Sequence, residues 1–303
     1  MKSLLRFPAA RLAVIGGSVV VALALCFGAP PAYAQTEYRS PEEAMTAFGH
    51  AVANNDEASL RALLGVDFRE LIPPVDAEIR SRFLKAWDTS HAIQATASER
   101  ADIMVGNDGW TLPIPIVKSA KGWHFDTRAG VEEMRLRRIG RNELAVIQTM
   151  LAVYDAQREY AETDHDGSGV LAYAKKLSSS PGKQDGLYWP TGPDDKPSPL
   201  GAAFVTAGAR TGQAGYYGYH YKLLTSQGPH APGGAYDYVA KGKLFGGFAV
   251  VAWPVRYGDT GIKSFMVSHD GQVYERDLGP DSAKKAAAMQ SFDPGPGWAQ
   301  VSH

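Results

Sequence analysis

The hydrophobic period of this chain switches back and forth between two values, and that alternation restricts the architectures open to it. Between Ser40 and His91 apolar residues recur every three or four positions. They then recur near every second position in "AIQATASERADIMV", "GWTLPIPIVKS" and "KGWHFDTRA". The helical period returns from Asn142 to about Glu162, and the strand period from Tyr216 to Leu278. A helix buries one stripe and a strand one face, so helices followed by a run of neighbouring strands imply antiparallel sheets with helices laid on them. The expected fold class is α+β, built twice: helices packed on a curved antiparallel sheet over 37–138, then a long helix packed on a second antiparallel sheet over 139–303.

Local signals bound the elements. Ser40 stands as an N-cap before Pro41, with Glu43 placed to close a capping box, and Ala44, Met45, Phe48 and Val52 follow at helical spacing. Asn54-Asn55-Asp56 stops that helix, and Asp56 caps a second through Leu60, Leu63 and Leu64 to Gly65. A third, from Asp76 to His91, sets Ile79, Phe83 and Trp87 on one face. In the second half a helix is expected to start at Asn142-Glu143, with Leu144, Ile147, Met150, Leu151 and Tyr154 on its apolar face, and another at Ser198-Pro199 running to about Arg210. Strands are expected in "YYGYHYKLL", "GGFAVVAWPVRYG", "IKSFMVS" and "QVYERDL", the last two joined by a hairpin at His269-Asp270-Gly271. The basic run "RLRRIGR" at 135–141 reads as a solvated junction between the halves.

Residues 1–34 carry an address. Lys2, Arg6 and Arg11 precede an apolar run from Leu12 to Ala29, and Ala32-Tyr33-Ala34 follows Pro30-Pro31, which is the order of a secretory signal peptide cleaved after Ala34. Cys26 is the one cysteine, but Leu25 before it is larger than lipoprotein processing accepts, so lipidation is not expected. The mature chain then has no thiol chemistry and no membrane span, and its expected location is the periplasm or the medium. The leader takes three of the 31 Lys+Arg and none of the 32 Asp+Glu, leaving 28 against 32 and a formal charge of −4. With the basic residues scattered, no nucleic-acid partner is expected.

The chemistry-bearing stretches are few. In "DHDGSG", Asp164, Asp166 and Ser168 stand at positions 1, 3 and 5 of an EF-hand-like loop, Gly169 at its turn position and Val170 at its carbonyl position. Position 12 is Lys175 instead of a bidentate glutamate, so two readings stay open: a weak calcium loop completed by Glu162 or Asp185, or a glycine-rich helix stop. Calcium is the one cofactor in question. Tyr217, Tyr219 and Tyr221 alternate along an expected strand, and Asp185, Tyr188 and Trp189 lie together in a loop, so Tyr217, Tyr219, Asp185, Tyr188 and Trp189 are candidate ligand-binding residues. No paired histidines at zinc spacing, G-x-S-x-G, Walker loop or dinucleotide fingerprint occurs, and no catalytic residue is assigned.

"SPEEAMTAFGHAVANNDEASLRALLGVDF" followed by "PIVKSAKGWHFD" resembles the nuclear-transport-factor-2-like fold, which implies helices on a cone-shaped sheet and no particular chemistry. "NELAVIQTMLAVYDAQREYA" with "GYHYKLL" and "GDTGIKSFMVSHDGQVY" is similar to the globular part of type II secretion pseudopilins. From Tyr38 onward, "GRNELAVIQTMLAVYDAQREYA", "DHDGSGVLAYAKKL", "GKQDGLYWP", "YYGYHYKLLTSQGPHAPGGAYDYV" and "FDPGPGW" resemble the bacterial domain-of-unknown-function 2950 family. The expected function is an exported, non-enzymatic protein that binds an envelope protein or glycan. The alternative is an envelope glycan hydrolase using Asp185 with Asp164 or Asp166.

Overall fold

A computed structural model of the chain describes residues 35–302 except 193–194, 203 and 205–214. The leader with its cleavage site and Cys26, and residues 203 and 205–210 of the helix expected from Ser198 to about Arg210, lie outside the described residues; Ala202 and Phe204 of that span are helical. Ser198 to Gly201 are not helical, the Ser198 hydroxyl donating to Leu200 O at 2.9 Å.

The first half reads α1 (Pro41–Ala53), α2 (Glu57–Leu64), α3 (Phe68–Leu71) and α4 (Ala77–Thr89), then β1 (His91–Ala97), β2 (Arg100–Val105), β3 (Trp110–Thr111), β4 (Ile116–Lys118) and β5 (Trp123–Phe125). The caps form as their sequence implies: Ser40 Oγ accepts from Glu43 N, Asp56 from Ala58 N and Ser59 N, and Asp76 from Ile79 N. The strands pair antiparallel in the order β1-β2-β4-β5, with β3 against β2. Phe48, Leu60, Leu63 and Trp87 from the helices meet Ile103, Val105, Ile116 and Phe125 from the sheet in one buried cluster.

One helix, α5 (Thr127–Tyr160), then runs unbroken for 34 residues. The expected fresh start at Asn142 is therefore corrected. The cap is Asp126, whose side chain accepts from Ala129 N directly after β5, and the helix passes straight through 138/139. Nor is the basic run a solvated junction. Arg137 donates to Thr111 O at 2.7 Å in the first half, while Arg135 bonds Gly258 O and Arg138 pairs with Asp259 in the second. Glu143 Oε1 accepts from Ile262 N at 2.8 Å and Lys263 N at 2.9 Å. The partners in the second half are more than a hundred residues away, so no local pattern announces them.

The second half contains β6 (Tyr219–Leu224), β7 (Ser226–Gln227), β8 (Tyr236–Asp237), β9 (Val239–Ala240), β10 (Lys243–Leu244), β11 (Ala249–Pro254), β12 (Lys263–Ser268), β13 (Val273–Asp277), α6 (Ser282–Ala288), β14 (Ser291–Phe292) and β15 (Ala299–Gln300). Its main sheet is antiparallel in the order β15-β13-β12-β11-β6. Val146, Met150 and Val153 of α5 pack on one face against Val250, Phe265 and Val267. Val251 and Met266 point the other way, into a cluster with Ala286 of α6 and Phe292. Burial on both faces explains why "FAVVAW" is continuously apolar instead of alternating. The class is α+β, as the alternation of periods implies, and no helix among the described residues is long and apolar enough to cross a membrane.

Candidate functional site

The acidic loop after α5 closes on itself. Asp164 Oδ1 accepts from Asp166 N and Ser168 N, Asp164 Oδ2 accepts from Gly169 N at 2.7 Å, and Asp166 Oδ1 accepts from Ser168 N. Gly167 and Gly169 both hold positive φ, which lets the turn tighten without a Cβ in the way. The cation beside it comes from the chain: Lys243 Nζ lies 2.9 Å from Asp166 Oδ1 and also bonds Ser168 Oγ. A hydrogen bond from the Ser168 side chain, and after it the one from Lys243, hold the Asp166 carboxyl well below the usual carboxylate range. Val170 is exposed, and among the described residues no group of three or more His, Cys, Asp or Glu is gathered to hold a metal ion. The arrangement that sequence spacing offers to calcium is thus held together by a lysine 77 residues further on.

Asp185 is likewise committed. It takes Lys176 Nζ at 2.7 Å, Ser180 N at 2.7 Å and Ser180 Oγ at 3.0 Å, and the lysine bond leads the causes that lower its pKa. The acids on which a glycan hydrolase would draw, Asp164, Asp166 and Asp185, all serve these local bonds. Tyr188 and Trp189 belong to the core cluster beneath α5, with Trp189 only 9% exposed and edge-on to Tyr160. Tyr160 donates to Gln184 O at 2.7 Å and stacks on His165 at 3.9 Å, and burial, with Asp185 and Asp166 adding to it, pushes its phenol up to about 12.

The candidate ligand-binding residues Tyr217 and Tyr219 do not share one exposed face, which is a correction. Tyr219 is fully buried and donates to Lys263 O at 2.9 Å, while Tyr217 is exposed with φ +50 between Gly215 and Gly218, both also at positive φ. The strand begins only at Tyr219. Tyr217 sits in the left-handed turn before it, so the alternation that would put both rings on one face does not extend that far.

What sequence reasoning missed lies in the first half. The stripe Ile79, Phe83, Trp87 reads as a core face, yet of α4 only Trp87 is buried, and Ile79 is 44% exposed. Ile79 and Phe83 line a cleft of about 630 Å³, together with Phe48 and Val52 of α1, Trp110 of β3, Ile114 and Met134 of α5. Its lip is the link Ile72-Pro73-Pro74-Val75, in which two prolines fix φ and leave Val75 45% exposed at the edge. Opposite stands Trp110, 44% exposed and edge-on to Phe83 at 6.3 Å. Two arginines enter this apolar wall. Arg69 lies over the Phe68 ring and is paired with Glu57. Arg80 is half-buried, and among the described residues no carboxylate forms an ion pair with it.

The family described as "Protein of unknown function (DUF2950)" matches residues 35–301. The chain belongs to that family. The match runs across both five-stranded sheets and α5, so the cleft-bearing half and the second half are parts of one family unit. No curated protein and no solved structure matches the chain.

Proposed function

We propose that this chain is an exported, non-enzymatic binding protein, working in the periplasm or outside the cell, whose N-terminal half holds one small apolar ligand in the cleft between α4 and Trp110. One observation carries the reading. Val75, Ile79 and Trp110, three large apolar side chains each 44–45% exposed, ring a concavity of about 630 Å³. Isolated exposed apolar residues are ordinary, but several converging on one concavity mark a ligand site, and roughly 300–1,000 Å³ is the range in which small-molecule pockets fall. The prolines of the lip support it further, since a wall that does not have to be ordered on binding costs the ligand less entropy.

The neutral apolar dye N-phenyl-1-naphthylamine tests the reading. Saturable fluorescence enhancement is expected with the native protein, weakened at least tenfold in Ile79→Asp while the thermal melt stays within a few degrees. Failure of the dye to saturate, or equal binding by Ile79→Asp, ends the proposal. The export part rests on the order of charge, apolar run and Ala32-Tyr33-Ala34 at the start of the sequence. Intact mass of the protein from the envelope fraction is expected to place Gln35 first, and a chain still carrying Met1 there counts against cleavage.

A further inference from the structure

We infer that the ligand of this cleft is a single-chain anion, an alkanoate-like carboxylate whose head meets the Arg80 guanidinium and whose chain runs inward along Ile79, Phe83 and Trp110; the inference rests on the cleft being a binding site. Charge within the cleft decides the head group. Glu57 is the one acidic residue of the lining, and it is paired with Arg69, so those two cancel. Arg69 is further occupied by Ile72 O at 3.4 Å. That leaves Arg80 as the uncompensated charge, half-buried in an apolar wall. A cation so placed has lost part of its hydration without gaining a partner, which is unfavourable until an anion arrives. A carboxylate answers it best, because guanidinium and carboxylate form two parallel charge-assisted hydrogen bonds.

Position decides the orientation. Arg80 lines the cleft and also the shallow depression on the outer side of α4 that holds Ser81, Lys85 and Asp88. It therefore stands at the mouth, between the apolar interior and open solvent. An anion bound there keeps its head partly hydrated, while its tail passes under Trp110 toward Ile114 and Met134. A cationic head would meet Arg80 with like charge, and a neutral one would leave it unpaired.

The experiment is displacement of N-phenyl-1-naphthylamine by octanoate, decanoate, dodecanoate, 1-dodecanol and dodecyltrimethylammonium, all kept below micelle formation. With the native protein, dodecanoate is expected to bind at least tenfold tighter than dodecanol, and the ammonium weakest. Affinity should rise roughly fourfold per added methylene until the cleft is full, the equivalent of about 0.8 kcal/mol for each buried CH₂. In Arg80→Met the preference of acid over alcohol should fall to within twofold while the melt is no lower, since the substitution removes a charge that has no partner and keeps the stem's packing. Equal affinity of acid and alcohol on the native protein, or a preference that survives Arg80→Met, overturns the head-group assignment and leaves the cleft reading standing. Loss of dye binding to the native protein overturns both.

Discussion

Gly261→Ala is expected to destabilise the second half by about 3 kcal/mol or more, at or beyond the upper end of ordinary overpacking. A Cβ at this position would lie 1.9 Å from Tyr219 Oη and 2.4 Å from Cζ, inside any van der Waals contact. The ring has nowhere to go: Tyr219 is fully buried, packs against Phe265 and donates to Lys263 O at 2.9 Å. Relief requires either the β6 ring to leave the core or the turn before β12 to move. On a chain of this size that cost corresponds to a fall in Tm of roughly 6–12 °C. Gly140→Ala is the opposing control, because a Cβ there meets nothing within 4 Å in the middle of α5. It is expected to gain about 1 kcal/mol from helix propensity alone. Thermal melts of the two variants read both signs. A Gly261→Ala melt within a degree of native refutes the packing argument, and Tyr219→Phe/Gly261→Ala should cost less than the sum of its single variants if the hydroxyl is part of the clash.

Gln157→Leu is expected to cost about 2–6 kcal/mol, through backbone groups it leaves unmet. Gln157 is fully buried on α5, its Nε2 donating to Ala174 O at 2.9 Å and its Oε1 accepting from Ala174 N at 2.8 Å. Ala174 is itself 1% exposed, so both of its peptide groups depend on this one side chain. The clasp anchors the glycine-rich stretch that carries the acidic loop, Asp185 and Trp189. Leucine fills the space and answers neither group, and each buried orphan costs about 1–3 kcal/mol. Gln157→Glu keeps the acceptor for Ala174 N and sets a carboxylate oxygen against Ala174 O. The pKa of that introduced carboxyl is raised in the folded state. Its penalty is therefore absent below the ordinary glutamate value near 4.3 and grows as pH rises above it. Urea midpoints at pH 4 and pH 7 separate the variants: the loss in Gln157→Leu should be the same at both, and that in Gln157→Glu larger at pH 7. A small, equal loss in both variants would mean the clasp contributes little.

The α+β class and many element bounds followed from residues acting on their immediate neighbours. Ser40, Asp56 and Asp76 each reach a backbone N–H two or three residues on, and the strands at Ala249–Pro254, Lys263–Ser268 and Val273–Asp277 coincide with apolar runs bounded by turn residues. Such signals work inside a few residues, so they survive in a bare sequence. Asp126 is of the same kind and was there to be read. The turns after it, however, carry arginines and no clear apolar stripe, and Arg135 and Arg138 among them find their partners in the second half of the fold.

Tertiary structure alone decided the candidate site. Ile79, Phe83 and Trp87 form one stripe by helical geometry, and nothing in their spacing distinguishes the residue that is covered from those that face open space. Coverage depends on what α1 and β3 bring to each turn of α4: Trp87 packs on Phe48 and on His91, while Ile79 has Trp110 and the Pro73-Pro74 lip across a gap. Charge followed the same rule. Asp166 has Lys243 beside it, brought from 77 residues further on, and Arg80 lies in an apolar wall whose one acidic residue, Glu57, is paired with Arg69. Sequence names the charges and stripes, but only the packed chain determines which of them are left without a partner.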